Sequence, residues 1–224
     1  MNPNAWFALV TTLVAAAVMV VLGGQYSRKR RIYSLWWTIA FLVTAVAALS
    51  QFVAFAQGMW PAGLYRLYLI LASVVPAFMG VGTMYLLASR RWANVYAVVI
   101  GLLTLFTIYG AASAVLSAGA LQHVFQAATT VQKVTSSPIV LIGFAVLGTL
   151  GAGAMVLGAL VSAIRTRHIQ PLLILLGGVV YSMGDTMAAY NLPVLFFLAQ
   201  VVGVLLLYGG VLANRRPAEA PRPA

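Results

Sequence analysis

Asp185 is the ionisable residue best placed to do chemistry, because it lies inside a long apolar stretch, in the segment YSMGDTMAAY. The other acidic residue of the sequence, Glu219, lies near the C-terminal end. A carboxyl group at membrane depth is costly, and by default it marks a functional site or a buried ion pair. Arg66 lies near the start of another apolar stretch, at a comparable predicted depth. Two alternatives follow for Arg66: an ion pair with Asp185, or a side chain that reaches back to the membrane interface.

Further polar side chains fall in the same half of the apolar stretches as Asp185. They are Gln51, Tyr109, Ser113, Thr11, Thr12 and Gln200. Polar groups in lipid face the interior of a helix bundle. The pattern therefore predicts a polar cavity that opens outward above a tightly packed cytoplasmic half. The alternative is that each polar group only makes a local hydrogen bond between helices.

Helical spacing adds Tyr181 to this set, since it shares one face with Ser182 and Asp185. The same face also carries Gly178 and Ala189. A second face, in the stretch that begins near Arg66, carries Arg66, Ser73, Ala77 and Gly80. We expect six residues to contact a ligand: Asp185, Arg66, Gln51, Tyr181, Tyr109 and Gln200.

Catalytic and metal-binding patterns are sparse. The sequence has no cysteine, which excludes disulfides, thiolate catalysis and Cys-ligated metal sites. His123 and His168 are predicted to lie on opposite sides of the membrane, so they cannot share a metal or haem. No serine occupies a G-x-S-x-G elbow. We expect no catalytic residue, no metal and no cofactor, and a protein that is not an enzyme.

The composition is that of an integral membrane protein. Of the 224 residues, 63% are hydrophobic and 7% are charged, whereas soluble domains are about 45–50% apolar and about 25% charged. The formal net charge is +11, from 13 basic and 2 acidic residues. The basic residues form short clusters between long apolar runs, as in loops that face an anionic leaflet. This arrangement favours membrane lipids over nucleic acid as the partner of the positive charge.

Seven apolar segments are long enough to cross the hydrocarbon as helices, which takes about 20 residues. They cover residues 6–22, 35–55, 64–88, 95–116, 139–164, 172–190 and 193–213. The predicted fold is an all-α integral membrane protein, a bundle of seven transmembrane helices within a single domain at residues 1–215. Residues 216–224 are Pro- and Ala-rich and are expected to form a disordered cytoplasmic tail. Pro76 is the one proline inside a segment and predicts a bend there.

The basic residues also predict the direction of the chain. Eleven of the 13 follow the first, third, fifth and seventh segments: Arg28, Lys29, Arg30, Arg31, Arg90, Arg91, Arg165, Arg167, Arg215, Arg216 and Arg222. By the positive-inside rule the C-terminus is cytoplasmic and the N-terminus is outside. We expect a multi-pass protein of a prokaryotic cytoplasmic membrane.

Two further regions have a recognisable pattern. The longest connection, residues 117–138, has apolar residues at spacings of three and four, which predicts an amphipathic helix on the outer surface. That helix is either a simple connector or a lid over the cavity. The fifth segment contains Gly143, Gly148, Gly151, Gly153 and Gly158. Such residues let helices approach closely within the bundle, or alternatively form a homodimer face.

The segments RTRHIQPLLILLGGVVYSMGD and NLPVLFFLAQVVGVLLLYGGVLANRR are similar in pattern to the seven-transmembrane sensory region of bacterial histidine kinases. No kinase domain follows Arg216, so the resemblance implies a stand-alone sensor-like module. Microbial rhodopsins also have seven helices, but they carry a Schiff-base lysine in the last one. The two lysines here, Lys29 and Lys133, are predicted to lie in loops and not in the last segment, which excludes covalently bound retinal.

The sequence thus favours a receptor-like or sensory membrane protein. It would bind a small, largely apolar or amphipathic ligand from the outer side and signal to a cytoplasmic partner. A small transporter, proton-coupled through Asp185, is the first alternative. A structural subunit of a membrane complex is the second.

Overall fold

The computed structural model describes residues 3–166 and 169–213, apart from the side chains of residues 87, 165, 166, 169, 170, 185, 186, 188, 189, 212 and 213. Every regular element in these residues is a helix, as predicted. In chain order the helices are α1 (Pro3–Lys29), α2 (Ile32–Gln57), α3 (Ala62–Leu87), α4 (Arg90–Ser113), α5 (Ala118–Leu121), α6 (Val124–Thr129), α7 (Val131–Val134), α8 (Pro138–Thr166), α9 (Ile169–Ala189) and α10 (Pro193–Ala213). The predicted tail, residues 216–224, lies outside the described residues.

Six helices are long and apolar enough to cross a membrane, as expected of a multi-pass membrane protein: α1, α2, α3, α4, α8 and α10. Helix α9 has a shorter apolar stretch within the described residues, Pro171–Gly184. Seven crossings therefore stay a prediction.

The helices extend past most of the bounds predicted from the apolar segments. An apolar segment stops at the first basic residues, whereas a helix can continue through them. Helix α4, for example, begins at Arg90 rather than at residue 95.

Six of the long helices form a closed ring in the order α1, α2, α3, α8, α9 and α10, and α10 returns to α1. Helix α4 lies outside this ring, in the groove between α3 and α8. Its Ile100 is fully buried there, beside Val74 and Leu147. The outer face of α4 is mostly exposed, as in Leu102 and Leu105.

Small residues hold α3 and α8 close together. Gly151 of α8 lies directly against the backbone of Pro76, and a Cβ at Gly80 would lie 3.0 Å from the Cα of Gly151. Gly143 lies against the side chain of Thr107 on α4. These glycines pack within the bundle, which is the first of the two predicted uses. Gly148 and Gly153 differ, because a Cβ at either would meet no atom within 4 Å.

The half of the bundle that ends in the basic connections is tightly packed. Its core includes Leu22, Trp37, Phe41, Met79 and Leu207, each 2% exposed or less. No charged side chain belongs to this core among the described residues. The opposite half, toward the connections α2–α3, α4–α8 and α9–α10, contains the polar groups discussed below.

We predict that Gly151→Ala destabilises the protein, because the added methyl group would overlap the Pro76 carbonyl. Overpacking of this kind costs about 1–3 kcal/mol. The midpoint of thermal unfolding in detergent should fall. Gly153→Ala on the same helix is the matched control, since its methyl group meets open space. Equal midpoints for the two variants would contradict the close approach of α3 and α8.

Candidate functional site

A cavity of about 310 Å³ lies inside the ring of helices, and all six ring helices contribute to its wall. Helices α6 and α7 line it as well, through Ala128, Thr129 and Val131. The polar residues around it are Thr11, Thr44, Gln51, Tyr68, Ser73, Thr129, Tyr181, Ser182 and Gln200. The remaining lining residues are apolar or glycine. The cavity thus has the mixed wall expected of a site for a small molecule.

Residues 117–137, which we call the cap, cover one end of this cavity. The sequence predicted one amphipathic helix here, and that prediction is wrong: the cap is divided into α5, α6 and α7. The division into two faces is as expected. Leu121 and Ala128 are buried, whereas Gln122, Gln126 and Lys133 are exposed. The chain leaves the helical conformation at Thr130, where φ is −133° and ψ is 82°.

Aromatic side chains from the start of α3 hold the cap in place. The backbone N–H of Trp60 donates to the carbonyl of Leu121 at 3.0 Å, and its indole Nε1 donates to the carbonyl of Val124 at 2.9 Å. Tyr65 Oη donates to the carbonyl of Ala127 at 2.9 Å. Short helices leave many of their backbone carbonyls without a donor from the same helix, so these donors from outside stabilise the cap.

The local sequence explains how these donors reach the cap. Gly58 ends α2 in the left-handed conformation, with φ of 73°, and this turns the chain back toward the bundle. Tyr65 and Tyr68 are three residues apart, so they lie on one face of α3. The Trp60 ring contacts both, with centroids 5.4 Å from Tyr65 and 4.9 Å from Tyr68.

Tyr68 also connects the cap to α2 through a chain of hydrogen bonds. Its Oη donates to the carbonyl of Ala128 at 2.6 Å, and Gln51 Nε2 donates to the same Oη at 3.1 Å. Gln51 is 3% exposed and Tyr68 is 6% exposed. A ligand that competes for Gln51 or Tyr68 would therefore act directly on the attachment of the cap.

Phenylalanine rings attach the cap to α10. Phe125 of the cap packs edge-on against Phe196 at 5.8 Å, and Phe196 packs against Phe197 at 5.0 Å. Phe197 in turn contacts Phe7 of α1 and Phe55 of α2. Edge-to-face contacts of this kind stabilise a core beyond the area that they bury.

The structure brings three of the predicted ligand-binding residues together. Gln51, Tyr181 and Gln200 all line the cavity, from α2, α9 and α10. No hydrogen bond joins Gln200 to another residue within the described part of the chain, so its amide is available to a ligand. Pro76 leaves a further backbone acceptor at the cavity wall, which was not predicted from the sequence. Because proline has no N–H, the carbonyl of Ala72 loses its usual helical donor at the cavity wall.

Arg66 contacts the C-terminal end of α4, and its ion pair with Asp185 stays a prediction. Its guanidinium Nη2 donates to the carbonyl of Ala114 at 3.2 Å, and Ala114 is the C-cap of α4. A cation at this position is stabilised by the negative end of the helix dipole. Helix α3 packs against α2, α4 and α8, whereas α9 packs against α6, α8 and α10. Asp185 lies in α9, but its side chain is outside the described residues.

Tyr109 does not join the cavity. It lies on the outer face of α4 and is 66% exposed. The expectation that it faces the bundle interior is wrong, because α4 lies outside the ring and presents that face to the surroundings. Its depth in the sequence could not reveal this, since depth does not specify which side of a helix is covered.

The aromatic residues that hold the cap were not among the site residues predicted from the sequence. Trp60 lies just before the predicted span 64–88, and Tyr65 and Tyr68 lie at its start, where aromatic residues are common as interfacial anchors. The spacing of the two tyrosines was a usable signal, but their partners are about 60 residues away in the chain. Backbone carbonyls have no sequence signature, so these contacts could not be predicted.

Comparison with known proteins adds no family assignment, since neither the family models nor the curated proteins nor the solved structures yield a match.

We predict that Tyr68→Phe loosens the cap, because the carbonyl of Ala128 and the amide of Gln51 both lose a buried partner. An unmade buried hydrogen bond costs about 1–3 kcal/mol. Backbone amide exchange in residues 124–134 should accelerate about tenfold or more, measured by hydrogen–deuterium exchange.

Tyr85→Phe is the matched control for this experiment. Tyr85 lies on the same helix and donates to Asn94 Oδ1 at 2.6 Å, at the opposite end of the bundle. Its loss should leave exchange in the cap unchanged. Equal acceleration in the two variants, or none in Tyr68→Phe, would contradict the role assigned to Tyr68.

Proposed function

We propose that this protein is a receptor-like or sensory protein of a prokaryotic cytoplasmic membrane, and that it binds a small, largely apolar ligand in the cavity beneath the cap. The observation that carries the proposal is the cavity itself. It measures about 310 Å³, at the lower end of the range of about 300–1,000 Å³ for small-molecule sites. It lies between six helices that a ligand could shift relative to one another.

The residues that line the cavity favour a neutral ligand with few polar groups. None of its lining residues carries a charge within the described part of the chain. The Gln200 amide and the Ala72 carbonyl can bond a ligand, and the hydroxyls of wall residues such as Thr44 can accept a hydrogen bond in addition to the one that they donate. A molecule with one hydroxyl, carbonyl or amide group on an apolar body would match them. Asp185 remains a candidate from the sequence alone.

The proposed topology has seven crossings, with the cap outside and the basic connections in the cytoplasm. Helix α9 has 21 residues, a length of about 31 Å at 1.5 Å per residue, which suffices to cross the hydrocarbon. Arg28, Lys29, Arg30, Arg31, Arg90 and Arg91 are exposed at the end of the bundle away from the cap. This asymmetry fits the positive-inside rule.

Signalling in this proposal passes through the tightly packed half of the bundle. Small shifts of the ring helices at the cavity would move the basic ends, where a cytoplasmic partner would dock. A sensor of this kind is what the resemblance to the sensory regions of histidine kinases implies. A homodimer through α8 would depend on glycines that do not pack internally, such as Gly153.

A small transporter is the second candidate, and Pro76 is the observation in its favour. Transporters often carry an interrupted helix at the substrate site. Pro76 interrupts the hydrogen bonding of α3 at the cavity wall. Helix α3 nevertheless continues through it to Leu87, so we rank the transporter below the receptor.

Ligand binding is tested by titrating the purified protein with small neutral lipophilic compounds that carry one hydroxyl or amide group. A bound compound should raise the thermal midpoint in a saturable way. Gln200→Leu should weaken that binding about tenfold, because it removes a polar anchor worth about 1–2 kcal/mol. Gln126→Leu is the control, since Gln126 is exposed on the cap. Equal affinities in both variants, or no stabilisation of the wild type by any compound, would contradict the proposal.

Flux separates the two candidates once a compound is known. A receptor should bind without moving the compound across proteoliposomes. Ligand-dependent flux that is lost in Asp185→Asn would instead favour the proton-coupled transporter.

The topology is tested with single cysteines, since the chain has none of its own. Lys133 and Arg91 are both exposed, at opposite ends of the bundle. In intact bacterial spheroplasts, Lys133→Cys should react with a membrane-impermeant maleimide and Arg91→Cys should not. The opposite pattern would reverse the proposed orientation.

A further inference from the structure

Ser182 of α9 differs from the other polar residues around the cavity, because it lines the cavity and is also exposed. Thr11, Gln51 and Ser73 line the same cavity and are 1%, 3% and 1% exposed. Ser182 is exposed, and the adjacent Met183 on the surface of α9 is 49% exposed. The wall of the cavity therefore reaches the exposed surface of the bundle at Ser182.

The opposite wall of this gap is one face of α8. Phe144, Gly148 and Ala152 are four residues apart and all line the cavity. They are only partly buried. A Cβ at Gly148 would meet no atom within 4 Å, so the space beside it is empty. A smaller recess of about 30 Å³ continues the gap between α8 and α9 toward Val156 and Gly178.

The gap lies at membrane depth. Phe144 and Ala152 are six and fourteen residues from the start of α8 at Pro138, or about 9 and 21 Å at 1.5 Å per residue. Ser182 is seven residues from the end of α9 at Ala189, or about 10 Å by the same rise. The hydrocarbon core is about 30 Å thick, so acyl chains rather than water surround the gap.

The cap end of the cavity is closed by comparison. Four hydrogen bonds join Trp60, Tyr65 and Tyr68 to the cap. Ala127 and Ala128, which accept two of them, are 1% and 7% exposed. A molecule that arrived from the water at this end would have to break these bonds.

We propose that the ligand reaches the cavity sideways, from the lipid bilayer, through the gap between α8 and α9. The inference rests on the proposed function and names its ligand class: a neutral molecule that dissolves in acyl chains and carries a hydrogen-bonding group for the Gln200 amide. Charged and strongly hydrated molecules are not ligands of this site, since they do not partition into the hydrocarbon.

The test uses a small neutral aryl diazirine dissolved in phosphatidylcholine vesicles that contain the full chain. After photolysis, mass spectrometry locates the label. Phe196 reports on the cavity, since it lines it and is 3% exposed. Leu102 on the outer face of α4 is 63% exposed and reports on direct contact with lipid. We expect label at both positions in the wild type.

Gly148→Phe should block the gap, so that label is lost from Phe196 and kept at Leu102. Gly153→Phe is the matched control, because Gly153 also faces open space but does not line the cavity; it should keep both labels. Ser182→Phe narrows the gap from the α9 side, in case Gly148→Phe does not fold. Undiminished label at Phe196 in the blocked variants would overturn this route.

Two results separate this route from the proposed function. If a lipophilic compound binds in the thermal titration but the diazirine labels only Leu102 in the wild type, the binding proposal holds and the bilayer route is overturned. If the diazirine labels Phe196 and Gly148→Phe abolishes that label, the route holds even where no compound stabilises the protein. In that second case it is the receptor-like proposal that fails.

Discussion

The arrangement of the site depends on one constraint: a backbone carbonyl in an apolar environment must receive a hydrogen bond. Long helices meet this requirement internally, but a segment broken into short helices does not. The cap meets it with donors from Trp60, Tyr65 and Tyr68. Without them the cap could not remain divided into short helices over the cavity, and the cavity would be open at that end. The side chains of Trp60, Tyr65 and Tyr68 thus keep the cavity closed at the end that the cap covers.

Tyr68 also couples the cap to the cavity wall. Tyr68 bonds Ala128 on the cap and accepts from Gln51 on α2, and all three residues line the cavity. A ligand that replaces either bond changes the attachment of the cap at the moment it binds. Coupling of this kind requires differential contacts in two states rather than distance alone, and Tyr68 offers such a contact.

The sequence was sufficient for the features that repeat over many residues. Apolar length and composition predicted the helices. Depth along the segments for Gln51 and Gln200, and helical spacing for Tyr181, predicted residues that line one cavity. The sequence was insufficient where a neighbouring helix determines which way a side chain faces or what it bonds. Tyr109 is polar and at the expected depth, yet it faces outward because α4 lies outside the ring. Arg66 caps α4 because a carbonyl, which has no sequence signature, lies within reach. The cap was predicted as one helix because its periodicity is helical, but its long-range hydrogen bonds favour three short ones.

Helix α4 gives the bundle two unlike flanks in the plane of the membrane. Where it covers α3 and α8, the wall is two helices thick and is sealed by Ile100. Along α8 and α9 the wall is a single layer of helices, and small residues lie on both sides of the gap between these two helices. A neighbouring membrane protein on the thick flank would leave the cavity unaffected, whereas one on the thin flank would cover it. Under the proposed route, only a neighbour on the flank between α8 and α9 would affect entry of the ligand.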